Sequence, residues 1–187
     1  MMTVERLQDK LAQAREKLLI ALEPLPDEAL EEAKAVGEWS VAQLLAHLAS
    51  WEAELVTGLA EVQRGKRPAR LLVALADREA YNVQCLADNI GRDLDSIFDD
   101  WQGARIQLEV RLEDLTERDL NEPRQYVWRQ GKSLVSLIAE LTYEHELAHE
   151  PAVRAFVRRW LAAHPEAVSD EVIQLGDIEV THGDADE

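Results

Sequence analysis

Three of the five histidines are placed where one metal ion could be shared. His145 and His149 are four residues apart, a spacing that puts two imidazoles on one face of a helix. At 3.6 residues per turn, His145 falls between Leu141 and Ala148 near the middle of an apolar stripe, and His149 lies about 40° to one side. His47 flanks a second apolar stripe, three residues after Leu44 and four before Trp51. A third nitrogen from a facing helix would complete a three-imidazole set and leave positions open for water or substrate. Neutral imidazole suits Zn, Ni, Fe or Cu. A histidine on an apolar stripe also occurs as a plain core residue with its polar atoms hydrogen-bonded, so the metal reading requires that the two helices be neighbours. His164 and His182 lie beyond the last stripe.

The segment His145-Glu146-Leu147-Ala148-His149 also spells H-E-x-x-H, in which two histidines bind zinc and the glutamate activates water. The longer zincin signature is absent, because Glu150-Pro151 follows His149. The chain also offers no substantial sheet edge to grip an extended peptide. In any metal reading Glu146 is a candidate base; otherwise it reads as an exposed helix glutamate. Cys85 is the sole cysteine. It excludes an intrachain disulfide, suits a reducing cytoplasm, and reads as a small buried hydrophobe more readily than as a nucleophile. Trp39 and Trp128 each precede a histidine-bearing helix and are candidates for a pocket mouth.

Four long helices must position these residues. The first spans about 3–23, with Val4, Leu7, Leu11, Leu18 and Leu22 on one stripe and Pro24 and Pro26 closing it. The second starts at Ser40, an N-cap with Gln43 in capping-box position, and ends near Gly65 and Pro68. A shorter helix is expected over 71–89, with Gly91 as a break. The third long helix starts near Ser96, with Ile97, Trp101, Ala104, Leu108, Leu112 and Leu115 inward. A polar connection follows over 116–132. The fourth starts at Ser133, turns Leu134, Leu137, Ile138, Leu141 and Ala148 inward, and should kink near Pro151. The expected fold is all-α: a four-helix bundle over 1–164 with one extra short helix. An acidic extension over 165–187 carries a candidate hairpin about Gly176-Asp177.

Composition agrees with this architecture and excludes several functions. The 187 residues are 47% hydrophobic, with only 8 Gly and 6 Pro. No apolar run approaches the roughly 18 residues a membrane span needs, and the charged N-terminal stretch has no signal-like apolar region. The net charge is −17, and residues 170–187 hold seven acids without a Lys or Arg. The rest of the chain is still acidic, so nucleic acid and anionic membranes are not expected partners. A cytoplasmic location follows as an expectation.

The stretch Gly37-Glu38-Trp39-Ser40-Val41-Ala42-Gln43-Leu44-Leu45-Ala46-His47-Leu48 resembles the second-helix signature of the DinB/YfiT-like superfamily. His145-Glu146-Leu147-Ala148-His149 is similar to that family's H-x-x-x-H on the last bundle helix. The resemblance covers about residues 3–162. It implies a four-helix bundle, often a homodimer, holding a divalent metal (Zn, Ni or Fe) through His47, His145 and His149. It further implies a small-molecule substrate, with thiol-dependent S-transfer or isomerisation among the family's activities. A low-molecular-weight thiol such as bacillithiol or mycothiol would then be the co-substrate. The segments His47-Leu48-Ala49-Ser50-Trp51-Glu52 and Tyr81-Asn82, with Asp119-Leu120, are also similar to the ClbS/DfsB-like (DUF1706) branch. That likeness implies instead a protection or small-molecule-binding protein without metal, its pocket rimmed by Trp39, Tyr81 and Trp128. A metal-dependent hydrolase built on the H-E-x-x-H segment is the remaining alternative. Pro151 and the acidic extension depart from the common pattern of the family.

Overall fold

A computed structural model of the protein describes residues 1–167; the expected hairpin, His182 and all of the acidic extension beyond a 3₁₀ turn at Pro165–Ala167 lie outside the described residues. Each long helix begins where its sequence supplies a cap. α1 (Val4–Leu22) is capped by Thr3, whose side chain accepts from the Arg6 amide. After the one-turn α2 (Asp27–Leu30), α3 (Val41–Gln63) opens with the full capping box of Ser40 and Gln43. α6 (Leu94–Glu113) begins two residues before the expected Ser96, because the Asp93 carboxylate caps it by accepting from the Ser96 amide at 2.8 Å. Among the described residues there is no β-sheet, only an isolated bridge between Val36 and Trp39.

The sequence departs from one expectation at Asp77. The single helix anticipated over 71–89 is two, α4 (Ala69–Ala76) and α5 (Arg78–Asp88). Asp77 terminates the first and caps the second by accepting from the Ala80 amide. The polar connection carries α7 (Glu117–Asn121) and a short 3₁₀ turn at Val127–Arg129.

The fourth long helix is also divided, and not at its proline. α8 (Leu134–Leu141) stops at Thr142, whose backbone leaves helical geometry at φ −128°, ψ −104° while its hydroxyl donates to the Ile138 carbonyl. α9 (Tyr143–Ala163) then runs through Pro151. The break resets the helical phase. Ala148, expected inward, is exposed, while Glu146, Val153, Phe156 and Trp160 turn to the core. Glu146, expected on the surface unless catalytic, is therefore buried.

The long helices associate as two pairs: α3 packs along α6, and α1 along α9. Apolar side chains between the pairs form two separate clusters. One gathers Leu18, Leu44, Leu48, Trp101, Val153 and Phe156; the other gathers Leu11, Leu55, Leu108, Leu137, Leu141 and Tyr143. Between these clusters each long helix contributes one buried charge: Arg15, Glu52, Arg105 and Glu146, all at most 5% exposed. They close a ring. Arg15 donates to Glu52 at 2.9 Å and to Glu146 at 2.7 Å, while Arg105 donates to Glu52 at 2.5 Å and to Glu146 at 3.2 Å.

Among the caps, Ser40 starts the helix that carries His47. Replacing it (Ser40→Ala) removes one amide's acceptor and is expected to cost about 1 kcal/mol, lowering Tm by about 2–4 °C in a thermal melt.

Candidate metal centre

The three histidines predicted from spacing come together. His47 is carried by α3 and is 3% exposed; His145 and His149 lie on the first turns of α9 and are half-buried. The Nε2 atoms of His47 and His145 are 3.0 Å apart. Ring centroids are 4.8 Å apart for His47 and His145, 5.7 Å for His47 and His149, and 5.0 Å for His145 and His149. One ligand atom from each residue lies within 4.8 Å of the other two.

This donor set fits a divalent cation. Two nitrogens about 2.1 Å from one ion, about 90–109° apart around it, stand about 3.0–3.4 Å from each other, which brackets the His47–His145 separation. Facing through Nε2, two neutral imidazoles in opposite tautomers form one N–H···N hydrogen bond that uses a single lone pair, whereas a cation would use both lone pairs at once. The protons would then sit on Nδ1. Those of His47 and His145 are buried and have no hydrogen-bond partner among the described residues. The carboxylate or carbonyl that usually orients a zinc-bound imidazole is thus absent for these two. Packing takes its place: the Trp39 ring lies 4.8 Å from that of His47. Trp39 reaches it through a tight turn closed by the Val36 and Trp39 backbones, with Gly37 at φ 66° where a side chain would be strained.

Electrostatics keep the imidazoles neutral. Burial, helped by the neighbouring histidines, pushes His47 down to about 3 and His145 down to about 4, and burial also lowers His149. Neutral nitrogens are the form that binds a metal.

The imidazoles open onto a cavity of about 190 Å³, also lined by Trp39, Trp51, Arg78, Asn82 and Glu140. Of the three residues expected at a pocket mouth, Trp39 lines it. Tyr81 stands behind Trp51, ring to ring at 4.4 Å, with its hydroxyl donating to the Ser50 carbonyl. Trp128 packs near Tyr126 on the connection before α8. Arg78 and Asn82, one turn apart on α5, line the cavity where Tyr81 and Trp128 were expected; Asn82 stands in the Tyr81-Asn82 segment already noted, and the i, i+4 spacing is the trace of Arg78 in the sequence. Glu146 does not line the cavity. One carboxylate oxygen accepts from Arg15 and Arg105, both buried in the bundle interior. The structure thus places it in a buried ion-pair network rather than on the cavity wall, where a zincin base would stand. Cys85 is buried, and burial pushes its thiol up, as suits a packing residue.

The fold and this site define a helix bundle with a three-imidazole centre at the junction of its two helix pairs. The family model of the DinB superfamily matches residues 10–150, and the chain belongs to that superfamily. A crystal structure of an uncharacterised protein from Escherichia coli UTI89 has the same fold. It superposes with a TM-score of 0.69 at 18% identity, covering 85% of this chain and 95% of that one. No curated protein matches the chain. No helix among the described residues is long and apolar enough to cross a membrane.

The lowered histidine values make the stability of the metal-free protein depend on pH. Unfolded histidines titrate near 6.5, so below that pH the unfolded chain takes up protons that the folded chain refuses. Stability in EDTA is expected to be full above about pH 7 and to fall as pH drops toward 4, by at most about 1.4 kcal/mol per unit for each histidine. Denaturant unfolding at pH 7 and pH 5 measures this, and His47→Leu should reduce the slope.

Proposed function

We propose that the chain is a divalent-metal-binding protein, with Zn, Ni or Fe held by His47, His145 and His149. Its proposed activity is that of an enzyme acting on small electrophiles with a low-molecular-weight thiol as co-substrate. The supporting observation is the convergence of three neutral imidazoles, 98 residues apart in sequence at His47 and His145, on the wall of a cavity reached from solvent. A divalent ion on uncharged ligands keeps its full positive charge and, when bound, supplies Lewis acidity toward a thiol, a water or a substrate oxygen.

The remaining wall favours a reactant with an anionic group. Arg78 offers a guanidinium whose present partner, Glu140, sits 2.5 Å away at the half-exposed rim. Asn82 uses its carbonyl to accept from the Trp51 indole at 2.9 Å, which leaves its amide N–H groups to donate into the cavity. Trp39 supplies an apolar face beside the imidazoles. The choice of a thiol rests on the likeness to the family. In such a transfer the sulfur bonds to the electrophilic carbon, the leaving group departs with its electron pair, and the thiol proton passes to water or to the leaving group.

Protein purified without a histidine tag and loaded with Zn, Ni or Fe should retain about one equivalent after desalting, and the bound metal should raise its Tm. Elemental analysis of His47→Ala and His145→Ala should give less than a tenth of that amount. Wild-type protein that takes up no metal, or turnover insensitive to EDTA and to His145→Ala, would overturn the proposal. For the pocket wall, Arg78→Ala should raise KM for a carboxylate-bearing electrophile about tenfold, the size of one charge-assisted hydrogen bond. KM for an uncharged electrophile should stay unchanged.

A further inference from the structure

The two histidine-bearing helices belong to different pairs, α3 with α6 and α9 with α1, and touch each other little. The distance from His47 to His145 and His149 is therefore set by how one pair sits on the other. Apolar clusters resist separation of the pairs, but burial is non-directional and tolerates sliding and rotation. The buried ring is directional. Each pair supplies one arginine and one glutamate: Arg15 and Glu146 from α1 and α9, Glu52 and Arg105 from α3 and α6. Both arginines bridge the same two carboxylates. Each is pinned again by a backbone carbonyl, Arg15 to that of Trp101 at 3.0 Å and Arg105 to that of Leu11 at 2.8 Å. Arg15 also lies 3.8 Å over the Trp101 ring. Both carbonyl contacts cross from one pair to the other. Glu146 adjoins His145 in the chain, and Glu52 stands five residues after His47.

We propose that the Arg15–Glu52–Arg105–Glu146 ring is the positioning device of the metal centre, fixing the register of the α1/α9 pair on the α3/α6 pair and hence the gap between His47 and the His145/His149 pair. The inference rests on the metal reading above. It also accounts for a gap in the site: the buried Nδ1 atoms of His47 and His145 have no hydrogen-bond partner among the described residues, so, beyond the packing of Trp39 on His47, their placement falls to the helices that carry them. Buried ion pairs often add little net stability compared with well-packed apolar residues, and their best-attested use is to select one arrangement.

Two variants separate positioning from stability. Arg105→Lys keeps the charge but loses the fork that spans both carboxylates. The paired change Arg105→Met with Glu52→Met removes one charge of each sign and leaves Arg15 and Glu146 to each other. Zn affinity by chelator competition should fall at least tenfold in both, the range typical of lost support behind a metal ligand, with an altered Co(II) absorption spectrum. The Tm of the metal-free paired variant should stay at or above that of wild type. If that variant does not fold, Arg105→Lys is judged by the same affinity and spectrum. Wild-type affinity within twofold together with an unchanged spectrum in a folded variant overturns the proposal.

Spin labels on the exposed positions Ala53→Cys and Ala152→Cys, in a Cys85→Ser background, report the register without metal. One narrow distance in the unsubstituted ring should broaden or shift in the variants, and an unchanged distribution overturns the inference. Absence of metal uptake by wild type, with the distances still responding, would sink the metal centre while leaving the ring's control of register intact.

Discussion

Two positive and two negative side chains closed into a ring divide the interior of this bundle. Charges this deeply buried are tolerable only when every one is paired, and here no single helix can supply the pairing. Burial, with a smaller contribution from the Glu146 carboxylate, pushes the Glu52 carboxyl up, and Arg105 and Arg15 oppose that rise. The bundle's interior is consequently two oily compartments with an ionic floor between them, and no helix can turn or slide by a residue without stranding a charge. The histidines inherit that rigidity. His47 and His145, whose Nδ1 atoms have no partner among the described residues, are held instead by the Trp39 ring beside His47 and by the fixed helices beneath their Cα atoms.

Much of this could be read before any coordinates, for physical reasons. Caps and apolar stripes are local signals, so Ser40 with Gln43 and the stripe of Leu44, Leu48, Trp51 and Leu55 define α3 almost to the residue. The i, i+4 pair at His145 and His149 is local as well. What failed were features decided by competition between neighbouring segments. Asp77 can end one helix and begin the next, and periodicity over 71–89 does not reveal which it does. Thr142 lies inside an apolar period that continues on both sides, so the phase shift there was invisible; angles measured from Leu141 then put Ala148 inward and left Glu146 outside.

The ring itself has a signature in the sequence. Arg15 follows Leu11 by four and precedes Leu18 by three; Glu52 stands likewise between Leu48 and Leu55, and Arg105 between Trp101 and Leu108. Three charges at the same phase of three apolar stripes, with signs that can balance only if a fourth joins them, is a pattern that asks for a partner. The fourth, Glu146, was hidden because it stood inside a familiar motif. Its type matched the catalytic string, while its direction is set by the break at Thr142.

The acidity of the chain has a kinetic corollary at the rim that holds Arg78 and Asn82. An anion approaching from bulk meets the repulsive potential of a chain whose net charge is −17 before it reaches the local attraction of the guanidinium. The repulsion acts over a Debye length and is dissolved by added electrolyte, whereas the short contact is shielded far less. Electrolyte would therefore hasten capture of such a reactant while changing its escape much less, the reverse of the usual slowing of steered association by ionic strength.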